Sequence, residues 1–214
     1  MAKWLAAVCL VFGLIAVSTA TFAGANFAHK LAVHVKAHPT SCSTNYPTFT
    51  SCSQIVFTWP SLADVDVMPV FYDLAGYTRN ETGLSWPEGT WGSGVWTRCK
   101  GDVAVGTITH SANQTVYPAS TRGTAISWSS CQTTWGSAPG YCWLTAHAVG
   151  MVCPELNPAT GNFGVLDCSA PPGPFYDWPI SAHCAGVGGM VGDDPCKPVG
   201  VEPGTWGGIK GIFR

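Results

Sequence analysis

Residues able to do chemistry are few in this chain of 214. His34 and His38 stand four positions apart in an alternating run, on what would be one outward face of a strand. An i, i+2 spacing would chelate a metal more tightly there, and a solvated polar face is the preferred reading. Asp64 with Asp66, and Asp193 with Asp194, could give oxygens to calcium, but neither pair has the extended D-x-D-x-D-G arrangement that makes the signal specific. His110, His147 and His183 are the histidines that a nearby carboxylate could turn into a general base. His147 shares a strand face with Trp143 and Val149, where a satisfied core histidine is expected. No nucleophile, base and acid occur together in a recognisable pattern, so no catalytic residue, metal or cofactor is assigned.

Aromatic residues give the stronger hint. Nine of the ten tryptophans lie beyond residue 25. Trp86, Trp91, Trp96 and Trp135 fall in or beside Gly- and Pro-rich turns, where exposed indoles could form a platform for a sugar ring. Core filling is the competing role for every one of them. Asn80-Glu81-Thr82 and Asn113-Gln114-Thr115 fit the acceptor pattern for N-glycosylation.

The first 25 residues read as an export signal. Met1 to Lys3 is a short positive start, and Trp4 to Val17 is an apolar run shorter than the ~20 residues a spanning helix needs. Small residues follow at Ser18 to Ala25, with two cleavage spacings, and no transmembrane segment is expected once the signal is removed. Nine cysteines remain: Cys42, Cys52, Cys99, Cys131, Cys142, Cys153, Cys168, Cys184 and Cys196. None stand in the C-x-x-C spacing of a zinc site, and an exported chain with so many cysteines is expected to be disulfide-stapled. Local pairs are favoured, 42 with 52, 99 with 131 and 142 with 153, plus one bridge among 168, 184 and 196. The odd number leaves one thiol free or available to another chain.

Charge excludes other partners. Charged residues make up 10% of the chain and the formal net charge is −2, which offers no basic field for nucleic acid.

The elements that must position these residues are strands. Leu31, Val33, Val35 and Ala37 alternate with polar neighbours, as do Ile55, Phe57 and Trp59, and then Met68, Val70, Tyr72 and Leu74 around Pro69. Pro69 argues for an edge strand or a strand start. Further β-rich runs lie at 94–99, 103–109, 125–129, 141–149 and 163–167, separated by turn clusters. About eight short strands without an amphipathic helix predict an all-β fold, a disulfide-stabilised antiparallel β-sandwich of immunoglobulin-like or jelly-roll-like form over 26–170, with a closed barrel as the competing architecture. Residues 171–202 read as a Gly/Pro-rich tail with little regular structure, tethered by its cysteines, and 203–214 as a separate Trp/basic segment.

Two resemblances stand beside this reading. Ser181-Ala182-His183-Cys184 is similar to the surroundings of the catalytic histidine in trypsin-like proteases, but no serine follows Cys184 to act as nucleophile. Asp66 to Leu74, Gly83 to Pro87, Val165 to Cys168, Ala185 to Gly189 and Thr205 to Lys210 together resemble secreted Cys-, Gly- and Trp-rich proteins of environmental bacteria. That resemblance implies an exported bacterial protein and carries no activity. It breaks down at 111–123, where a Gly-Asp-Gly turn is expected and Asn113-Gln114-Thr115 stands instead. The expectation is a secreted or cell-envelope structural or ligand-binding module, without catalysis, meeting a glycan or an envelope component. The alternative is a secreted hydrolase built on a histidine and a carboxylate.

Overall fold

The computed structural model describes residues 25–26, 28–38, 47–87, 91–92, 96–97, 106–110, 123–138, 140–168 and 176–197. They form an all-β architecture of two mixed sheets tied by three disulfides. In chain order the strands are β1 (Lys30–Ala37), β2 (Thr58–Trp59), β3 (Asp64–Tyr72), β4 (Tyr77–Ser85), β5 (Trp91–Gly92), β6 (Trp96–Thr97), β7 (Gly106–His110), β8 (Gly123–Gln132), β9 (Gly136–Ser137), β10 (Tyr141–Ala146), β11 (Gly150–Glu155), β12 (Gly164–Asp167), β13 (Ser181–His183) and β14 (Ala185–Val187). No helix among the described residues is long and apolar enough to cross a membrane.

The first sheet runs β13-β1-β3-β10-β5, with β6 also on β10 and β9 on β3; the second runs β2-β14-β11-β4-β8-β7, with β12 also on β4. The alternation read at β1 becomes an eight-residue antiparallel ladder with β3, from Lys30 opposite Tyr72 to Ala37 opposite Val65. Apolar side chains from both sheets then meet. Val33, Val35, Val67 and Leu144 of the first pack with Leu84, Val152, Ala185 and Val187 of the second. A second mixed cluster joins Leu31 and Phe71 to Tyr77, Ile126, Trp128 and Val165.

Three expectations need correction. Pro69 is neither at an edge nor at a start: it sits mid-strand opposite Val33. On the other side of β3, β10 covers residues 64–67 and β9 covers 71–72, so the ladder is interrupted where proline has no N–H to offer. The sheets are not purely antiparallel, because β13 runs parallel to β1 and β14 parallel to β2. These parallel partners come from the region expected to lack regular structure. Three residues enter one sheet, Cys184 turns the chain, and three enter the other. The third correction follows from this. Cys52 is bridged to Cys196, Cys131 to Cys168 and Cys153 to Cys184, so none of the three favoured local pairs forms. Two bridges fasten the 181–197 segment, one to the loop before β2 and one to β11, because that segment buries side chains in both sheets. The odd number of cysteines leaves Cys142 outside the three bridges, 1% exposed in the core and out of reach of a second chain. Cys42, Cys99 and the 203–214 segment lie outside the described residues.

Both faces of β1 and β3 are buried over most of their length. The outer face of the first sheet carries Ala32, Met68, Val70, Tyr72 and Tyr141, and Phe49 and Ile55 of the preceding loop lie over it. Among the described residues this apolar cover does not extend to the far end of the same face, where polar residues take over.

Candidate functional site

The polar end of this face is set by register. Lys36, Asp66 and Trp143 stand in one row across β1, β3 and β10, and Asp64 faces Thr145 in the next. Directly paired residues share a face. In β10, Cys142, Leu144 and Ala146 point inward, so Trp143 and Thr145 must point outward. Trp143 is 36% exposed. The His38 ring lies almost parallel to it, with centroids 4.5 Å apart and planes 7° apart. The His38 Nδ1–H donates to Asp66 Oδ1 at 2.9 Å, and Asp66 itself is fully buried. Thr145 Oγ1 donates to Asp64 Oδ1 at 2.7 Å.

The result is a fixed aromatic surface with a polar border. Asp66 takes the Nδ1 proton of His38, which sets the ring orientation and leaves Nε2 as the nitrogen able to meet a ligand. The Trp143 ring offers flat apolar area, and Asp64, Thr145 and His38 offer hydrogen-bonding groups around it.

Of the tryptophans singled out from the sequence, Trp86, Trp91 and Trp135 lie elsewhere. Trp86 is 8% and Trp91 4% exposed, both in the cluster between the sheets. The Trp91 Nε1–H donates to the Ala148 carbonyl at 2.9 Å. A Cβ on Gly150 would come within 2.6 Å of Pro87 and 3.1 Å of Trp91, so the turn residues next to these indoles fold them inward against a bare backbone. Trp135 is half-buried and packs at a tilt on Tyr72, with centroids 5.3 Å apart. The Trp96 side chain is outside the described residues. The exposed indole of the platform, Trp143, lies mid-strand, where turn composition gives no signal.

The histidines separate in the same way. His34 is buried, its Nδ1 accepts the Val56 N–H at 2.9 Å, and its ring meets Phe49 edge-on. Burial, with the charge of Lys36, pushes its pKa down to about 4. It does not join His38 as a chelating pair. His147 is exposed beyond the end of β10 rather than part of the core. His110 lies in β7, with its side chain outside the described residues. Asp193 and Asp194 each accept a backbone N–H, from Cys184 and Cys196, both at 2.9 Å.

His183 is held in a chain of hydroxyls. Its Nε2 lies 3.0 Å from Ser181 Oγ, Ser181 contacts the Tyr72 hydroxyl, and Tyr72 donates to the Pro195 carbonyl at 2.9 Å.

Sequence reasoning missed a fully buried carboxylate, Glu81, on β4. Arg79 binds its Oε2 through Nε at 3.1 Å and Nη2 at 2.9 Å, and Tyr176 donates to the same oxygen at 2.5 Å. Asn157 donates to Oε1 at 3.0 Å and Thr160 donates to it as well. Burial pushes this carboxyl up, but the hydrogen bonds of Thr160, Tyr176 and Arg79, with the Arg79 charge, hold it below its ordinary value. With no exposed surface, Glu81 fastens the 157–162 turn and the Tyr176 segment to β4 rather than meeting a ligand. Its neighbour Asn80 is equally buried, and its Nδ2 donates to Ser137 Oγ at 3.1 Å, so this acceptor pattern is closed to glycosylation in the folded chain.

Comparison of the chain with protein-family models, curated proteins and solved structures finds no match.

Proposed function

We propose that this chain is an exported ligand-binding module that holds a glycan on the Trp143–His38 platform. The carrying observation is the exposed indole stacked on a histidine whose ring is locked by a buried carboxylate. A pyranose presents an apolar C–H face to such a surface and hydroxyls around its edge, which match Asp64, Thr145 and His38. Three disulfides and the signal-like first 25 residues support an extracellular or envelope location. The side chains shared between the sheets support reading the fold as a sandwich, with the platform on the outer surface of one layer.

The test is a glycan array followed by affinity electrophoresis on any glycan retained. Trp143→Ala should weaken retention at least about tenfold, since a stacked aromatic carries much of such an interface. Retention of no glycan, or retention unchanged in Trp143→Ala, would overturn the proposal. His38–Asp66 also supplies the histidine–carboxylate pair that the hydrolase reading requires, at a histidine that reading had not named. Turnover of a chromogenic glycoside or ester that disappears in His38→Gln would favour that second reading instead.

A further inference from the structure

A cavity of about 630 Å³ lies away from the platform, between the β13 end and the loop that follows β14. Phe57, Ala182 and Val191 give it apolar wall; His183, Asp193, Asp194 and Lys197 give it polar wall. Its size is that of a small-molecule site. The cavity lies in the segment that Cys153–Cys184 and Cys52–Cys196 fasten, which fixes its walls relative to both sheets.

The two carboxylates set the character of the polar wall. Asp193 and Asp194 are each anchored by one oxygen on a backbone amide, and a carboxylate can accept further donors at its remaining lone pairs. His183 is 4% exposed. Its Nε2 lies 3.0 Å from Ser181 Oγ, and Nδ1 has no hydrogen-bond partner among the described residues. Burial pushes the imidazole below its ordinary value even against the pull of the two aspartates. Lys197 is the one cation in the wall among the described residues; its side chain is 80% exposed and its Nζ is 3.9 Å from Asp194. Two carboxylates against one ammonium leave an excess of negative charge and of acceptors beside an apolar surface.

We infer that this cavity binds a small organic ammonium ion, with the ammonium donating to Asp193 and Asp194 and the apolar body lying against Phe57 and Val191. A neutral or anionic molecule of the same shape lacks the charge or the donors that these groups require.

The experiment uses the oxidised full chain and three probes of one shape: phenethylammonium, 2-phenylethanol and 3-phenylpropionate. Backbone and imidazole chemical shifts are followed during titration. Phenethylammonium should shift Ala182, His183 and Gly192, with affinity at least about tenfold above the alcohol and more above the carboxylate. Asp193→Asn with Asp194→Asn keeps an acceptor for each cysteine amide and should cost at least about tenfold in affinity. Lys197→Met, at an exposed position, should tighten binding, and it keeps the charge argument testable if the double variant does not fold. Equal binding of amine and alcohol, absence of any shift at these residues, or Lys197→Met binding no more tightly would each overturn the inference. None of these readouts involves Trp143 or a glycan.

Discussion

Tyr176 donates its hydroxyl proton to Glu81 at 2.5 Å across 95 residues of sequence, and this contact joins the C-terminal region to the middle of β4. Glu81→Gln should therefore lower stability by about 2 to 4 kcal/mol, because it removes the charge opposite Arg79 and leaves an amide among donors. Chemical denaturation reads the loss. The folded pKa of Glu81 lies below the unfolded one, so its contribution is present above pH ~4.5 and disappears as pH falls through the folded value. The variant should lose that part of the acid sensitivity.

Acid should weaken the fold earlier than this, through His29 and His34. Burial pushes both imidazoles down to about 4; in His29 the bond from Nδ1 to the Asn26 carbonyl opposes the shift, and in His34 the Lys36 charge adds to it. The unfolded chain takes up these protons near pH 6.5, whereas the folded chain resists until about 4. Stability is thus complete above pH ~6.5 and falls between there and pH ~4, by at most about 3 kcal/mol per histidine. Urea midpoints at pH 7 and pH 5 measure the fall. His34→Gln keeps an acceptor for Val56 and should fall by less.

Non-reducing peptide mapping should recover 52–196, 131–168 and 153–184. Replacing Cys52 and Cys196 together by serine should cost about 2 to 5 kcal/mol and lower the melting temperature. Hydrogen exchange in this variant should rise first in 181–197, where two three-residue strands rely on the bridge to keep their ladders.

Gly192→Ala should be among the most damaging single-methyl substitutions. Its Cβ would lie 2.0 Å from the Phe57 carbonyl oxygen and 2.7 Å from that of Cys184, and both contacts are backbone. Overpacking of this kind costs about 1 to 3 kcal/mol. A thermal melt indistinguishable from the wild type would contradict the packing described here.

The long strands were legible because each alternates: β1 and the apolar half of β3 announce themselves at period two. β4 was not, since Arg79, Asn80, Glu81 and Thr82 put four polar residues in sequence, and three of them, all but Arg79, are fully buried by pairing with one another's neighbours. A run read for hydrophobicity cannot reveal burial achieved through hydrogen bonds. β13 and β14 have three residues each, too few for a period to register. The platform was half legible. His38 stands near His34, and Asp64 near Asp66, within their own segments, but the partners that matter are across the sheet, and only register brings Trp143 beside them. The cysteine partners were hidden for the same reason, being separated by 31 to 144 residues.

The span of the Cys52–Cys196 bridge bears on how the chain is made. On the export route proposed above, a chain threaded through a channel with its N-terminus leading exposes Cys52 while Cys196, the last cysteine in the sequence, is still inside. Every thiol that emerges in between is an earlier suitor for Cys52. Oxidation in order of emergence then yields the wrong connectivity, and the native one must be reached by later thiol–disulfide exchange. Yield in a production host should depend less on how strongly that host oxidises than on whether it supplies a catalyst that reshuffles bridges already formed.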